Sequence, residues 1–203
     1  KTIGYTACEK KYLAQGEHEL GDMHIGLVGI GAIGKEVVKR LKPFGCRMSY
    51  YDAFRPTPEV EKELDVTYLP FEELIRECDI LSIHVPVLPD TFHMFSTEQF
   101  KAMKNSAVIV NAARGEIIDD MALAQALEAG EIGGAALDTV APEPIPAWHP
   151  LLHLSQEAED KLTFTPHCGG KTAEAFTRML KWGIEDIRTI ENGGKPKNIV
   201  NGL

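Results

Sequence analysis

From Met23 onward, short apolar runs alternate with longer amphipathic ones, and no repeat of fixed period interrupts the rhythm. The first run, His24-Ile25-Gly26-Leu27-Val28-Gly29, reads as a buried strand. It leads into a helix over 32–44 that sets Ile33, Val37, Val38 and Leu41 on one side and stops at Pro43 and Gly45. A second strand over 46–51 closes with Asp52, after which Pro56 and Pro58 mark a loop. The pattern then predicts a helix over 70–78, a strand over 80–85, a helix over 97–104 and a strand over 107–111. Asp119 or Asp120 can cap a helix running to Ala129, and a strand over 133–140 follows. A loop rich in proline (Pro142, Pro144, Pro146, Pro150) precedes a strand over 162–165 and a last helix over 172–192. Phe176, Leu180, Ile184, Ile187 and Ile190 share one side of that helix, which predicts a face docked on a sheet.

This alternation implies an α/β fold with a doubly wound parallel sheet of the Rossmann type, because each right-handed crossover lays a helix against the strands. Such a sheet binds its ligand beyond the carboxyl ends of the strands. The rhythm spans residues 24–192; residues 1–23 and 193–203 stand outside it and read as connections to something else.

Composition narrows the class without altering the fold. With 44% hydrophobic and 25% charged residues in a 203-residue chain, there is ample material for one large core, which excludes disordered and collagen-like readings. The net charge is −9, from 21 basic and 30 acidic residues, and the basic ones are scattered, which argues against a nucleic-acid surface. Cys8, Cys46, Cys78 and Cys168 lie far apart with no CxxC pair, so reduced thiols in a cytoplasmic protein are favoured over zinc or a disulfide framework. No run reaches the length of a membrane span, and the first residues lack the apolar stretch of a signal peptide. The absence of an initial Met is compatible with a fragment or a processed product.

The chemistry begins at Gly29-Ile30-Gly31-Ala32-Ile33-Gly34, a GxGxxG that follows a strand and opens a helix. Gly29 permits the tight turn, Gly31 lets backbone approach a pyrophosphate, and Gly34 lets the helix sit close to the strand. Free amides at Ala32 and Ile33 and the positive end of the helix dipole can receive phosphates. Asp52, 18 residues after Gly34, is placed to accept hydrogen bonds from ribose hydroxyls and would repel a ribose phosphate, so NAD is favoured over NADP. Arg55 qualifies that preference, since a guanidinium can serve a 2′-phosphate; a solvated loop charge is its plainer explanation. A methyltransferase reading is weaker, because the loop has the dinucleotide spacing.

In a parallel sheet the segments after each strand share one crevice, which gathers His84-Val85-Pro86, Asn111-Ala112-Ala113-Arg114-Gly115, Asp138-Thr139 and Thr165-Pro166-His167-Cys168-Gly169-Gly170. Hydride transfer to a carbonyl needs a proton donor, a cation to polarise the carbonyl or hold a neighbouring carboxylate, and a group that tunes the donor. His167, Arg114 and Glu143 can fill those roles in that order. Singly, each has a structural explanation as a loop histidine, a loop ion pair or an exposed loop carboxylate.

Together these segments resemble the NAD-dependent D-isomer-specific 2-hydroxyacid dehydrogenases. The resemblance is carried by 26–34, by Ser82-Ile83-His84-Val85-Pro86, by Asn111-Ala112-Ala113-Arg114-Gly115-Glu116-Ile117-Ile118-Asp119, by 136–140, by Pro142-Glu143-Pro144 and by 165–170. Glu143 follows Arg114 by 29 residues and His167 follows Glu143 by 24, similar to the family's series. The resemblance implies that Arg114 binds the substrate carboxylate and keto oxygen. It implies that His167 is the acid/base and that Glu143 holds the imidazole's tautomer and favours its protonated form. It further implies that Asp138 receives the nicotinamide carboxamide and that His84, Val85 and Pro86 wall the adenosine half. Thr91, Ala112, Ala113, Gly169 and Gly170 would be further cofactor contacts.

Two departures stand out. Cys168 occupies a position where an aliphatic residue is usual; its adjacency to His167 invites a Cys-His nucleophile, but neighbours in extended backbone point apart and a small buried thiol is sufficient. His149 and His153 have a metal-like interval, yet the prolines around them predict a loop and no metal site. The family's second, substrate-binding domain would be largely absent from the chain. By resemblance, residues 1–23 would be a crossover and part of a dimerisation arm, implying a homodimer, and 193–203 a return toward that domain. The expectation is a chain that binds NAD(H) and turns over a small 2-hydroxy or 2-keto acid poorly on its own. An NAD-sensing scaffold related to the family's corepressors, and a member acting on formate or phosphite, remain open alternatives.

Overall fold

The computed structural model describes residues 18–199. Most of the segment expected to form a crossover arm, 1–17, and the last residues, 200–203, lie outside the described residues. The chain divides into two compact units, Lys1–Phe164 and Thr165–Leu203.

The first unit is built on β1 (His24–Val28), β2 (Arg47–Tyr51), β3 (Thr67–Tyr68), β4 (Ile80–Ile83), β5 (Val108–Asn111), β6 (Gly134–Leu137) and β7 (Leu162–Phe164). All pairings are parallel, and the order across the sheet is β3-β2-β1-β4-β5-β6-β7. The order reverses between β1 and β4, with Val28 opposite Ile83, and in a doubly wound sheet that reversal is where ligands bind. The helices are α1 (Ala32–Leu41), α2 (Pro58–Leu64), α3 (Phe71–Glu77), α4 (Thr97–Ala102), α5 (Asp120–Ala129) and the single turn α6 (Gln156–Glu159).

Local chemistry sets their ends. The α4 start is a capping box between Ser96 and Gln99, and Asp119 caps α5 by accepting the Met121 and Ala122 amides. After α1 a 3-10 turn over 42–44 ends on Gly45, close to the stop that Pro43 and Gly45 predict. The loop expected after Pro56 and Pro58 is shorter than predicted: α2 begins at Pro58, and the small strand β3 follows. Proline suits a first helical turn because its missing N–H is unpaired there anyway, and Val60 and Leu64 supply the i,i+4 apolar contact.

Two apolar clusters hold the unit. One joins Ile25, Leu27, Met48 and Tyr50 of the strands to Val38 of α1 and Leu64 of α2. The other joins Leu81, Ile83, Ile109 and Leu137 to Leu74, Phe100, Leu123 and Leu127, with Phe95 in the loop before α4. Phe95 and Phe100 are fully buried, each worth about 1.5–3 kcal/mol relative to exposure.

The second unit contains α7 (Ala173–Glu191), capped by the Thr172 hydroxyl on the Ala175 amide. The chain beyond it folds back: the Asp186 carboxylate accepts the amides of Lys197 and Asn198 and the Asn198 side chain. The apolar stripe of Phe176, Leu180, Ile184, Ile187 and Ile190 lies along α7 as the sequence predicts. Among the described residues no helix is long and apolar enough to cross a membrane.

Candidate functional site

The glycine turn between β1 and α1 has the form the motif predicts. Gly29 adopts φ 99°, where an L side chain is strained, and a Cβ there would sit 2.8 Å from the His84 carbonyl oxygen. At Gly34 a Cβ would press on the Gly29 carbonyl oxygen, so helix and turn are in backbone contact. Around Gly31 there is open space, and this residue caps α1 without any side-chain hydrogen bond. The first amides of α1, at Ala32 and Ile33, therefore stay available to an anion at the positive end of the helix dipole.

Asp52, directly after β2, ties itself to that turn. Its carboxylate accepts the Ile30 amide at 2.7 Å and the Phe54 amide at 2.9 Å. A carboxylate has lone pairs beyond these two bonds, so sugar hydroxyls can still be accepted. The Ile30 contact is one the sequence reading missed; no local pattern signals it, since the partners are 22 residues apart.

Ile33, His84, Val85, Pro86, Ala112, Ala113 and Arg114 line one crevice of about 540 Å³ at the carboxyl ends of β4 and β5, joined by Val87 and Glu116, which the sequence reading did not single out. The His84 amide donates to Val28 at 2.7 Å, and its Nε2 shares a 2.9 Å hydrogen bond with the Ser82 hydroxyl. The turn that follows is closed by Thr91, whose hydroxyl donates to the Pro86 carbonyl at 2.6 Å and accepts the Leu88 amide.

Buried Asn111 shapes the arginine loop: it accepts the Ala113 amide at 3.0 Å and donates to the Arg114 carbonyl at 2.8 Å. The exposed guanidinium of Arg114 returns one bond, 2.6 Å, to the Ala113 carbonyl. Asp138 leaves β6 with its amide on the Asn111 carbonyl, 2.9 Å, so the β5 and β6 ends are stitched together beside the crevice. Glu143 lies on the exposed part of the proline-rich loop.

That loop is secured by hydrogen bonds of buried His149. Its Nδ1 accepts the Leu151 amide, and its Nε2 faces Asp120 at 3.1 Å and the Ala141 carbonyl at 3.2 Å, while His153 bonds the Ala147 carbonyl. Burial raises the pKa of Asp120, against the pull of His149. Among the described residues no group of three or more His, Cys, Asp or Glu is arranged for a metal ion.

In the second unit His167 has φ 50°, the left-handed region that His, Asn and Asp visit more than other side chains. It lines a cavity of about 590 Å³ with Gly170, Lys171, Thr172, Phe176 and Met179. Gly169 lies in the same turn. Cys168, expected as a buried thiol, is exposed.

Burial lowers the pKa of His84, and burial, reinforced by Arg47, lowers that of His24, which sits on Ser49 at the start of β1. Both rings are therefore neutral in the folded chain at pH 7, and the unfolded chain takes up protons that the fold refuses as pH falls below 6.5. Stability is complete above that pH and declines below it, by at most about 1.4 kcal/mol per pH unit for each ring. Urea midpoints measured from pH 7.5 to 5 should fall accordingly, and His84→Gln should flatten the decline; an unchanged slope in that variant would refute the assignment for His84.

A seven-stranded parallel sheet with an open glycine turn at its switch point and a carboxylate after β2 defines a Rossmann-type dinucleotide-binding domain. Residues 6–169 match the family model for the D-isomer specific 2-hydroxyacid dehydrogenase, NAD binding domain; the chain belongs to this family, and its cofactor is NAD. It is 41% identical over 177 residues to a glyoxylate reductase of Korarchaeum cryptofilum, covering 87% of this chain and 52% of the relative. Among solved structures it resembles D-lactate dehydrogenase with NAD+ from Lactobacillus jensenii, with TM-score 0.78 and 30% identity over 98% of this chain and 59% of that one. It also resembles apo D-mandelate dehydrogenase of Rhodotorula graminis, with TM-score 0.83 and 30% identity over 97% of this chain and 58% of that one. The chain thus spans about half the length of the curated relatives it matches.

Proposed function

We propose that the protein is an NAD-dependent oxidoreductase that interconverts a D-2-hydroxy acid and its 2-keto acid, and that this chain supplies its cofactor domain. The observation that carries the reading is the single crevice in which the glycine turn's Ile33, the His84–Pro86 wall and Arg114 meet at the switch point. NAD, when bound, supplies or accepts the hydride. Arg114 holds the substrate carboxylate and polarises the keto oxygen through charge-assisted hydrogen bonds. His167 donates a proton to that oxygen in reduction and takes the hydroxyl proton in oxidation. By the family resemblance Glu143 has the part of setting the histidine's tautomer, and Asp138 that of receiving the nicotinamide carboxamide. Thr91, Ala112, Ala113, Gly169 and Gly170 pack along the cofactor, and Asp52 takes the adenosine ribose.

Domain limits of 24–192 for the cofactor domain, with 1–23 and 193–203 as its connections, belong to the same reading. So do a cytoplasmic setting, which the free thiols of Cys46 and Cys78 support, and a homodimer, which rests on the family resemblance. Calorimetric titration of this chain with NADH should show saturable 1:1 binding. The full-length protein, screened with NADH against 2-keto acids beginning with glyoxylate, should turn over at least one of them. No heat with NADH would refute the cofactor site, and NADH binding without turnover of any acid would favour a sensing scaffold.

A further inference from the structure

Three residues beyond Asp52 a guanidinium stands at the ribose end of the site, and it is already engaged. Arg55 donates from Nε to Glu61 Oε1 at 2.6 Å and from Nη2 to Glu61 Oε2 at 3.0 Å. Its Cζ lies 4.8 Å from the centre of the Tyr68 ring. Glu61, in the middle of α2, also accepts the hydroxyl of Tyr50, a β2 residue that is fully buried. The two partners are unequal: the Glu61 side chain is 14% exposed and that of Arg55 57%. The carboxylate is thus the anchored member, and the arginine the outer one that it holds.

This geometry consumes what a phosphate would need. Arginine recognises phosphate through a fork of parallel N–H donors, and here the Nε–Nη2 edge of that fork is taken up by a carboxylate while one face of the guanidinium lies on an aromatic ring. Asp52, Arg55 and Glu61 together leave one negative charge at the ribose end. Neutralising Glu61 would remove it and release a cation three residues from the sugar-binding carboxylate.

We propose that Glu61 is a cofactor-specificity residue: anchored through Tyr50, it holds Arg55 in a bidentate pair, withholds that cation from a ribose 2′-phosphate and so reinforces the exclusion of NADP by Asp52. The inference rests on the assignment of the glycine turn and Asp52 as the NAD site. It places part of the discrimination on a helix that does not line the crevice.

Equilibrium titration with NADH and with NADPH tests it on the wild-type chain and on Glu61→Gln, Arg55→Gln and the double variant. Glu61→Gln keeps an acceptor for Tyr50 while removing the charge that holds Arg55. It should raise NADPH affinity about tenfold, the worth of a charge-assisted hydrogen bond, with NADH affinity within about twofold of wild type. Arg55→Gln alone should leave NADH affinity unchanged and lower NADPH affinity by no more than about twofold, because the arginine's donors are withheld and only the screened repulsion of one uncompensated carboxylate is added; in the Glu61→Gln background it should cancel the gain. An NADPH-to-NADH ratio unmoved by Glu61→Gln would overturn the proposal. So would a loss of NADPH affinity of about tenfold or more in Arg55→Gln alone, which would mean the cation already serves the phosphate. If circular dichroism shows that Glu61→Gln does not fold, Glu61→Asp tests the anchoring alone: it keeps the charge but is one methylene too short to hold Tyr50 and Arg55 together, and it should raise the NADPH-to-NADH affinity ratio by about twofold or more, an unmoved ratio again overturning the proposal. Wild-type chain that fails to bind NADH would remove the nucleotide site and the inference with it, whereas intact NADH binding with an unmoved ratio would remove only the role of Glu61.

Discussion

His167→Asn should lower kcat/KM for keto-acid reduction by the full-length protein about 10²–10⁴-fold, the usual worth of general acid catalysis, while the NADH dissociation constant stays within a few-fold of wild type. Asparagine is the informative replacement because residue 167 has a left-handed backbone, φ 50°, which asparagine tolerates and alanine does not. The variant thus keeps the turn and loses the proton. An imidazole ring can both give and take a proton, so one ring can serve as acid in reduction and base in oxidation, and nothing in an amide replaces that. Activity within tenfold of wild type would show that the proton comes from elsewhere.

Gly115→Ala should cost about 3 kcal/mol of stability, at the upper end of ordinary overpacking, because the added carbon would land on the main-chain atoms of Val140 and Ala141. Backbone cannot swing aside as a flexible side chain can. The expected result is a lower urea midpoint with an unchanged slope, together with loss of turnover, since the two segments forced apart carry Arg114 on one side and lead to Glu143 on the other. Gly183→Ala is the control: nothing lies within 4 Å of its added carbon, and in the interior of α7 alanine gains up to about 1 kcal/mol of helix propensity. Equal stability losses in the two variants would show that the clash at Gly115 is not what matters.

Much of this architecture was legible beforehand. β1, β2, β4, β5, β6 and β7 lie inside or within one residue of the predicted apolar runs, and α1, α3, α4 and α5 lie within the amphipathic ones. Where prediction fell short, the cause was a signal read with the wrong weight. Pro56 and Pro58 read as loop markers, but proline also starts helices, and α2 begins on Pro58. The two-residue strand β3 is too short to show any alternation and exists because Ser49 and Tyr50 of β2 offer it partners. The thiol of Cys168 was expected inside on the strength of residue type alone, and it is outside.

The order of elements, the glycine turn and the acid that follows β2 are properties of neighbouring residues, because hydrophobic period and glycine's backbone freedom act within a few positions of the chain, and sequence alone determined them. Tertiary structure decided what those residues do to one another: that Asp52 grips the Ile30 amide, that Asn111 braces the arginine loop, that His149 closes on Asp120, and that Arg55 is held by Glu61. The Asp52, His149 and Arg55 pairings depend on how strands, loops and helices are brought together, and that of Asn111 on the turn the chain takes after β5; their partners, 3 to 29 positions apart, meet only in the folded chain.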